Sequence, residues 1–257
     1  MKAYEIMNDV IGEEFLAGMG FTVDGLKAGD ENKEVKKIGV CMTTTPDVIR
    51  AATEWGADLL ITHEPTFYNH LDNHEDNALT HRKEKFVLES GLTIYRWHDS
   101  THFRGRDKIS EGLLEKTGWK GEFDGQLGFV FDEPQNPVDM ARTLKDKLGV
   151  KHPRIIGRRD GMITKVILAL GARGSDPYTQ FRDSDFEVII SGELCEWYDL
   201  EPIRDLAQFG EQKTAIVLGH VGSERDGMEI FAKEIDGKYD GAPVKYFDCG
   251  EIYTYVD

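Results

Sequence analysis

Short apolar runs that break off into histidine and glutamate constrain this chain more than any other feature. The runs at residues 36–42, 58–62, 92–97, 187–190 and 215–218 are flanked by polar segments. Each is too short for a core helix and suits a strand buried on both faces. Similar runs at 127–131, 165–170 and 244–248 complete the set. Between them lie helix-type patterns. Thr45-Pro46 opens one that ends at Gly56, and Pro137 opens another that ends at Gly149. An N-cap hydroxyl, a proline in the first turn and a glycine after the last turn mark helix ends for separate steric reasons. Further helices are expected over residues 3–19, up to Gly91, over 108–116, from Glu193 through Leu206, and from Ser223 onward. Residues 25–34 (GLKAGDENKE) read as a polar loop.

Strands alternating with helices imply βαβ units and an α/β fold whose sheets are mixed but largely parallel and flanked by helices. The pattern suggests two lobes. Residues 1–124 and 172–257 form the main part, and residues 125–171 form a smaller insertion.

Four runs end in residues that ligate metals. The run at 58–62 leads into His63-Glu64-Pro65, and the run at 92–97 leads into His98-Asp99 with His102 four residues on. The later runs lead to Glu193 and to Gly219-His220 with Glu224. Ligands of open α/β sheets sit beyond the carboxyl ends of the strands, so segments distant in sequence are expected to meet there. Imidazole with carboxylate suits Zn, Fe, Mn, Co or Ni better than Ca or Mg alone. Three histidines and two glutamates (His63, His102, His220, Glu64 and Glu224) exceed the needs of one tetrahedral ion and favour two. Glu193 and His98 are the candidate proton carriers, although His98 beside Trp97 also reads as a hydrogen-bonded core histidine. The remaining histidines of this stretch, His70, His74 and His81, are expected to face solvent, and Cys195 is expected to be a buried filler.

Composition bounds the function. With 31 basic and 47 acidic residues the formal charge is −16, which repels phosphate backbones and anionic lipids. Direct nucleic-acid binding and membrane binding are therefore not expected. Three cysteines without a CxxC pair argue against a disulfide framework and suit a reducing, cytoplasmic setting. No apolar run approaches the roughly 20 residues that a membrane span needs.

The motifs, taken in order, resemble the Nif-three-like family of dinuclear-metal proteins, whose members carry the label GTP cyclohydrolase 1 type 2 homologue. VDGLKAGDENKEVKKIGVCM (residues 23–42) resembles the family's first block, and GADLLITHEP (56–65) its strand ending in His-His-Pro. YRWHDSTH (95–102) stands for the His-Thr-Asn-x-Asp block, SGEL (191–194) for Thr-Gly-Glu, and GHVGSE (219–224) for Gly-His-x-x-x-Glu. His63, His220 and Glu224 match directly. Glu64 stands where the family has its second histidine, and His102 where it has the bridging aspartate, so these two carry over by position only. Glu224, Asp99 and Glu64 are the carboxylates that remain to bridge two ions. The resemblance implies a two-lobed α/β fold, two divalent transition-metal ions and a homohexamer with its sites on an internal cavity. The function expected is a metal-dependent hydrolase acting on a nucleotide, a phosphoester or a cyclic amide or amidine. The alternative is a non-enzymatic metal-binding assembly protein acting as carrier, sensor or partner-binding scaffold.

Overall fold

The computed structural model describes residues 1–256. In chain order the first elements are α1 (Ala3–Ile11), α2 (Glu13–Gly18), β1 (Gly25–Ala28), β2 (Ile38–Cys41), α3 (Pro46–Trp55), β3 (Leu59–Thr62), α4 (Ala78–Ser90), β4 (Thr93–Arg96) and α5 (Asp99–Phe103). They are followed by α6 (Lys108–Thr117), β5 (Gly121–Asp124), β6 (Gly128–Gln135), α7 (Pro137–Leu148), β7 (Arg154–Gly157), β8 (Ile163–Ala169) and α8 (Asp176–Arg182). The last are β9 (Val188–Ser191), a π-helical turn (Glu196–Leu200), α9 (Glu201–Gln208), β10 (Thr214–Val217), α10 (His220–Glu234) and β11 (Val244–Phe247).

The chain divides into two compact units, Met1–Lys108 with Met228–Gly250, and Ile109–Gly227 with the C-terminal residues from Glu251 on. The first holds a five-stranded sheet in the order β1-β4-β3-β2-β11. β11, β2, β3 and β4 run parallel, and β1 closes one edge antiparallel. Every residue of β2, β3 and β4 is buried, as expected of parallel strands covered on both faces. Val48, Ile49 and Ala52 of α3 pack with Cys41, Leu60, Ile94 and Phe247 in the core of this unit. The helix signals act as expected. Thr45 Oγ1 accepts from Val48 N–H at 3.2 Å, and Gly56 ends the helix at φ 81°.

The second unit holds a six-stranded sheet in the order β5-β6-β8-β9-β10-β7. β8, β9 and β10 are parallel, β5 and β6 pair antiparallel at one side, and β7 is antiparallel at the other edge. Ile167, Ile189, Ala215 and Val217 on the strands pack with Tyr178, Phe181 and Ile203.

Several expectations need correction. The division falls at Lys108/Ile109 and Gly227/Met228, not near residues 124 and 172. A boundary at 172 would separate β8 from β9, which are bonded in register from Val166↔Val188 to Ala169↔Ser191. Residues 125–171 are therefore half of the second sheet and not an inserted lobe. The helix expected over 3–19 breaks at Gly12 (φ 93°), where Arg104 packs against the glycine and Nη1 donates to Val10 O at 3.0 Å. The stretch at 25–34 read as a polar loop contains β1, held by pairing with β4 that composition does not signal. The last helix starts at His220, three residues ahead of Ser223.

Cys195 is exposed, at the turn before the π-helix, while Cys41 is buried on β2. Burial pushes the Cys41 thiol up to about 12, so almost no thiolate forms there at pH 8. Iodoacetamide at pH 8 is therefore expected to label Cys195 in the folded chain and to spare Cys41 until denaturant is added. Mass spectrometry of the native digest checks this, and early labelling of Cys41 would contradict the burial. Among the described residues no helix is long and apolar enough to cross a membrane.

Candidate metal centre

β3 and β4 are adjacent and parallel, so the residues after their carboxyl ends emerge side by side. His63 follows β3 directly and is fully buried. His98 and His102 follow β4, but not in a loop. His98 is the N-cap residue of the short helix α5, and His102 lies on that helix. The three rings meet, with centroids 4.7 Å apart for His63–His98, 5.1 Å for His63–His102 and 5.0 Å for His98–His102. One nitrogen from each lies within 4.8 Å of the others, so the three can hold one ion.

Each ring is oriented through Nδ1. His63 Nδ1–H donates to Trp97 O at 3.0 Å, His98 Nδ1–H to Asp99 Oδ1 at 3.0 Å, and His102 Nδ1–H to Asp107 Oδ2 at 3.0 Å. An oxygen acceptor on Nδ1 fixes the tautomer whose Nε2 carries the lone pair, the arrangement that supports imidazole ligands in metal sites. Burial, with His98 and His102 close by, pushes His63 well below the ordinary imidazole range, so it is neutral, the form that ligates.

α5 has no capping side chain of its own, and a residue that sequence reasoning missed does that work. Asp24, just ahead of β1, accepts from the backbone N–H groups of His98 (2.6 Å), Asp99 (2.8 Å) and Ser100 (2.8 Å), and from the Ser100 hydroxyl. A carboxylate on these orphan donors also answers the positive end of the helix. Asp99 is held by Val23 N–H and the Thr22 hydroxyl, both at 2.9 Å. Burial alone would raise its carboxyl, but the bonds from His98, Val23 and Thr22 outweigh it and hold it below the usual carboxylate range. Arg96, fully buried at the end of β4, braces the backbone, its Nε donating to His63 O at 3.0 Å and Nη1 to His70 O at 2.6 Å. The acidic VDG turn at 23–25 was the available signal for Asp24; Asp107 had none.

Glu64 follows His63, its backbone N–H bonded to Met42 O at 2.9 Å, and it is partly exposed. His70, His74 and His81 are exposed, as expected.

The second unit builds its own donor set at the carboxyl ends of β8, β9 and β10. His220 Nδ1–H donates to Glu193 Oε1 at 2.9 Å, and His220 Nε2 lies 3.2 Å from the buried Glu224 Oε2. Glu193 is exposed and serves as the orienting carboxylate of His220. Glu224 is one turn along α10, beyond its first turn, so it is not a macrodipole partner of the helix N-terminus. Gly171 (φ 71°) makes room for it, because a Cβ there would come within 2.2 Å of Glu224 Oε1.

The donor chemistry in both units fits a borderline divalent ion: imidazoles with Nδ1 anchored on oxygen, and a buried carboxylate facing an imidazole nitrogen. The family model for Duf34/NIF3 (NGG1p interacting factor 3) matches residues 4–248. The chain belongs to that family. A Clostridium perfringens relative of this NIF3 chain, named GTP cyclohydrolase 1 type 2 homolog, is 25% identical over 219 residues, covering 80% of this chain and 79% of the relative. The Bacillus cereus protein related to NIF3 superposes with a TM-score of 0.76 at 14% identity, covering 100% of this chain and 99% of that one. Staphylococcus aureus protein SA1388 superposes with a TM-score of 0.79 at 14% identity over the same shares. At such identities the solved structures establish the NIF3 fold and nothing further.

Proposed function

We propose that this NIF3 chain binds divalent transition-metal ions and uses them as a hydrolase. The observation that carries the reading is the convergence of His63, His98 and His102 with every Nδ1 anchored on oxygen. These three imidazoles are assigned to one ion. His98 thereby becomes a ligand and leaves the proton-carrier role. The remaining proposed ligands are Glu64 in the first unit and His220 and Glu224 in the second. A bound ion supplies Lewis acidity and a water acidic enough to attack near neutral pH. The chain's own groups do the positioning: Asp99 and Asp107 orient His98 and His102, Glu193 orients His220, and Gly171 keeps space for Glu224. Exposed Glu193 is also the available group to take a proton from water and pass it to a leaving group. The name carried by the relatives supports a cyclic amidine or nucleotide substrate.

A second reading has an observation of its own. His98 adds a third imidazole to His63 and His102, and with Glu64 these would give four protein donors; such a filled tetrahedral set suits a metal carrier, sensor or metal-stabilised scaffold. Turnover separates the two. The chain loaded with Zn, Mn, Fe, Co or Ni is assayed on GTP, on bis(p-nitrophenyl) phosphate and on dihydropyrimidine amides. Hydrolysis that disappears on chelation and in His220→Ala is the expected result. A fully loaded chain inert towards all three classes overturns the hydrolase and leaves the carrier.

A further inference from the structure

Beside the second donor set lies a cleft that the metal reading does not use. It has a volume of about 180 Å³ and is lined by His152, Arg154, Leu218, Gly219, Tyr253 and Tyr255. All six belong to the second unit. The sheet places it there. β7 runs antiparallel to β10 with Arg154 opposite Val217, so β7 begins where β10 ends. Arg154, and His152 just before it, therefore share the sheet edge from which His220 emerges, the edge at which α/β sheets bind ligands. Gly219 lines the cleft and is the residue immediately before His220.

The lining is unusual for the tail of an acidic chain. Tyr255 already lies against His152, with ring centroids 4.1 Å apart and the planes tilted by 47°, and Tyr253 stays 64% exposed. The Arg154 guanidinium has no protein partner among the described residues. In a chain of formal charge −16, a partnerless guanidinium beside bare aromatic faces is a place for an anion that carries a flat ring. The volume lies below the ~300–1,000 Å³ of drug-sized pockets, so the cleft takes one ring system and not a whole dinucleotide. A second arginine-lined hollow, around Arg158 and Arg204, lies at the opposite end of β10, and there both guanidinia are already bonded to Asp160 and Glu201.

We propose that His152, Tyr253 and Tyr255 bind the planar heterocycle of the substrate, that Arg154 takes its phosphate, and that the substrate is thus of nucleoside monophosphate size. The assignment of this ligand as substrate rests on the metal-dependent hydrolase reading. The binding itself does not, because it requires no metal.

The test is calorimetric titration of the full, chelator-treated chain with GMP, and separately with guanosine and ribose 5-phosphate. GMP is expected to bind at least about tenfold more tightly than ribose 5-phosphate, since stacking on aromatic side chains supplies most of the difference. Tyr253→Ala is expected to weaken GMP by about 5- to 100-fold, with Tyr253→Phe restoring it. Arg154→Ala should weaken GMP while leaving guanosine unchanged. Equal binding of GMP and ribose 5-phosphate, absence of GMP binding at millimolar concentration, or an unaffected Tyr253→Ala overturns the proposal. Metal uptake by the same variants is measured in parallel. Uptake and turnover that persist without ring binding sink the cleft alone. Ring binding by a chain that takes up no metal sinks the metal reading alone.

Discussion

Replacing His63 and His220 together by alanine is expected to abolish divalent-metal uptake and, with it, the stabilisation that metal confers. Ions that bind the folded chain and not the unfolded one stabilise it by mass action, by about 4 kcal/mol at a thousandfold excess over Kd. For a chain of this size that corresponds to a rise of roughly 8–15 °C in melting temperature between chelated and loaded protein. The comparison is made within each protein, because His63 is fully buried and its truncation also leaves a cavity of its own. Elemental analysis of chain purified without chelator, with melting curves in EDTA and in added metal, reads both effects. A wild-type chain that takes up no metal, or a double variant that melts with the same metal-dependent shift, would sink the assignment of these ligands.

Asp24→Ala is expected to be the most damaging single change outside the ligand set. Its carboxylate serves three backbone N–H groups and one hydroxyl at the start of α5, and it is only 8% exposed. Each buried donor left without an acceptor costs about 1–3 kcal/mol. Some rearrangement will recover part of that, so a loss of about 3–5 kcal/mol is expected in urea unfolding. Asp24→Asn keeps the shape but turns one acceptor into a donor facing Ser100, and should lose about half as much. Because α5 carries His102 and begins beside His98, metal uptake should fall in parallel with stability. A cost under 1 kcal/mol for Asp24→Ala would show that Asp24 does not hold this turn.

Much of the site was legible because its residues stand directly after strands. His63, His98, Glu193 and His220 could be placed at strand ends from the apolar runs before them. The second element of each pair was harder. The four-residue steps from His98 to His102 and from His220 to Glu224 were visible, but the backbone between them was not. Both turned out to be helical, which points residues four apart to one side. The groups that orient the rings escaped altogether. Asp24 lies 74 residues from His98, and Asp107 lies beyond α5.

What the sequence determined by itself was local: strands from apolar runs, helix ends from Thr45-Pro46 and Gly56 or from Pro137 and Gly149, and the residue types that ligate. Those signals depend on sterics and hydrogen bonding within a few residues. Only the tertiary structure decided the strand order, which placed β3 beside β4 and split the chain at 108/109 and 227/228. It also decided that β1 exists, that Gly12 breaks the first helix, that Cys195 is exposed, and that three imidazoles share one point. Each of these depends on pairing or burial between segments far apart in the chain, and local propensity carries no information about that.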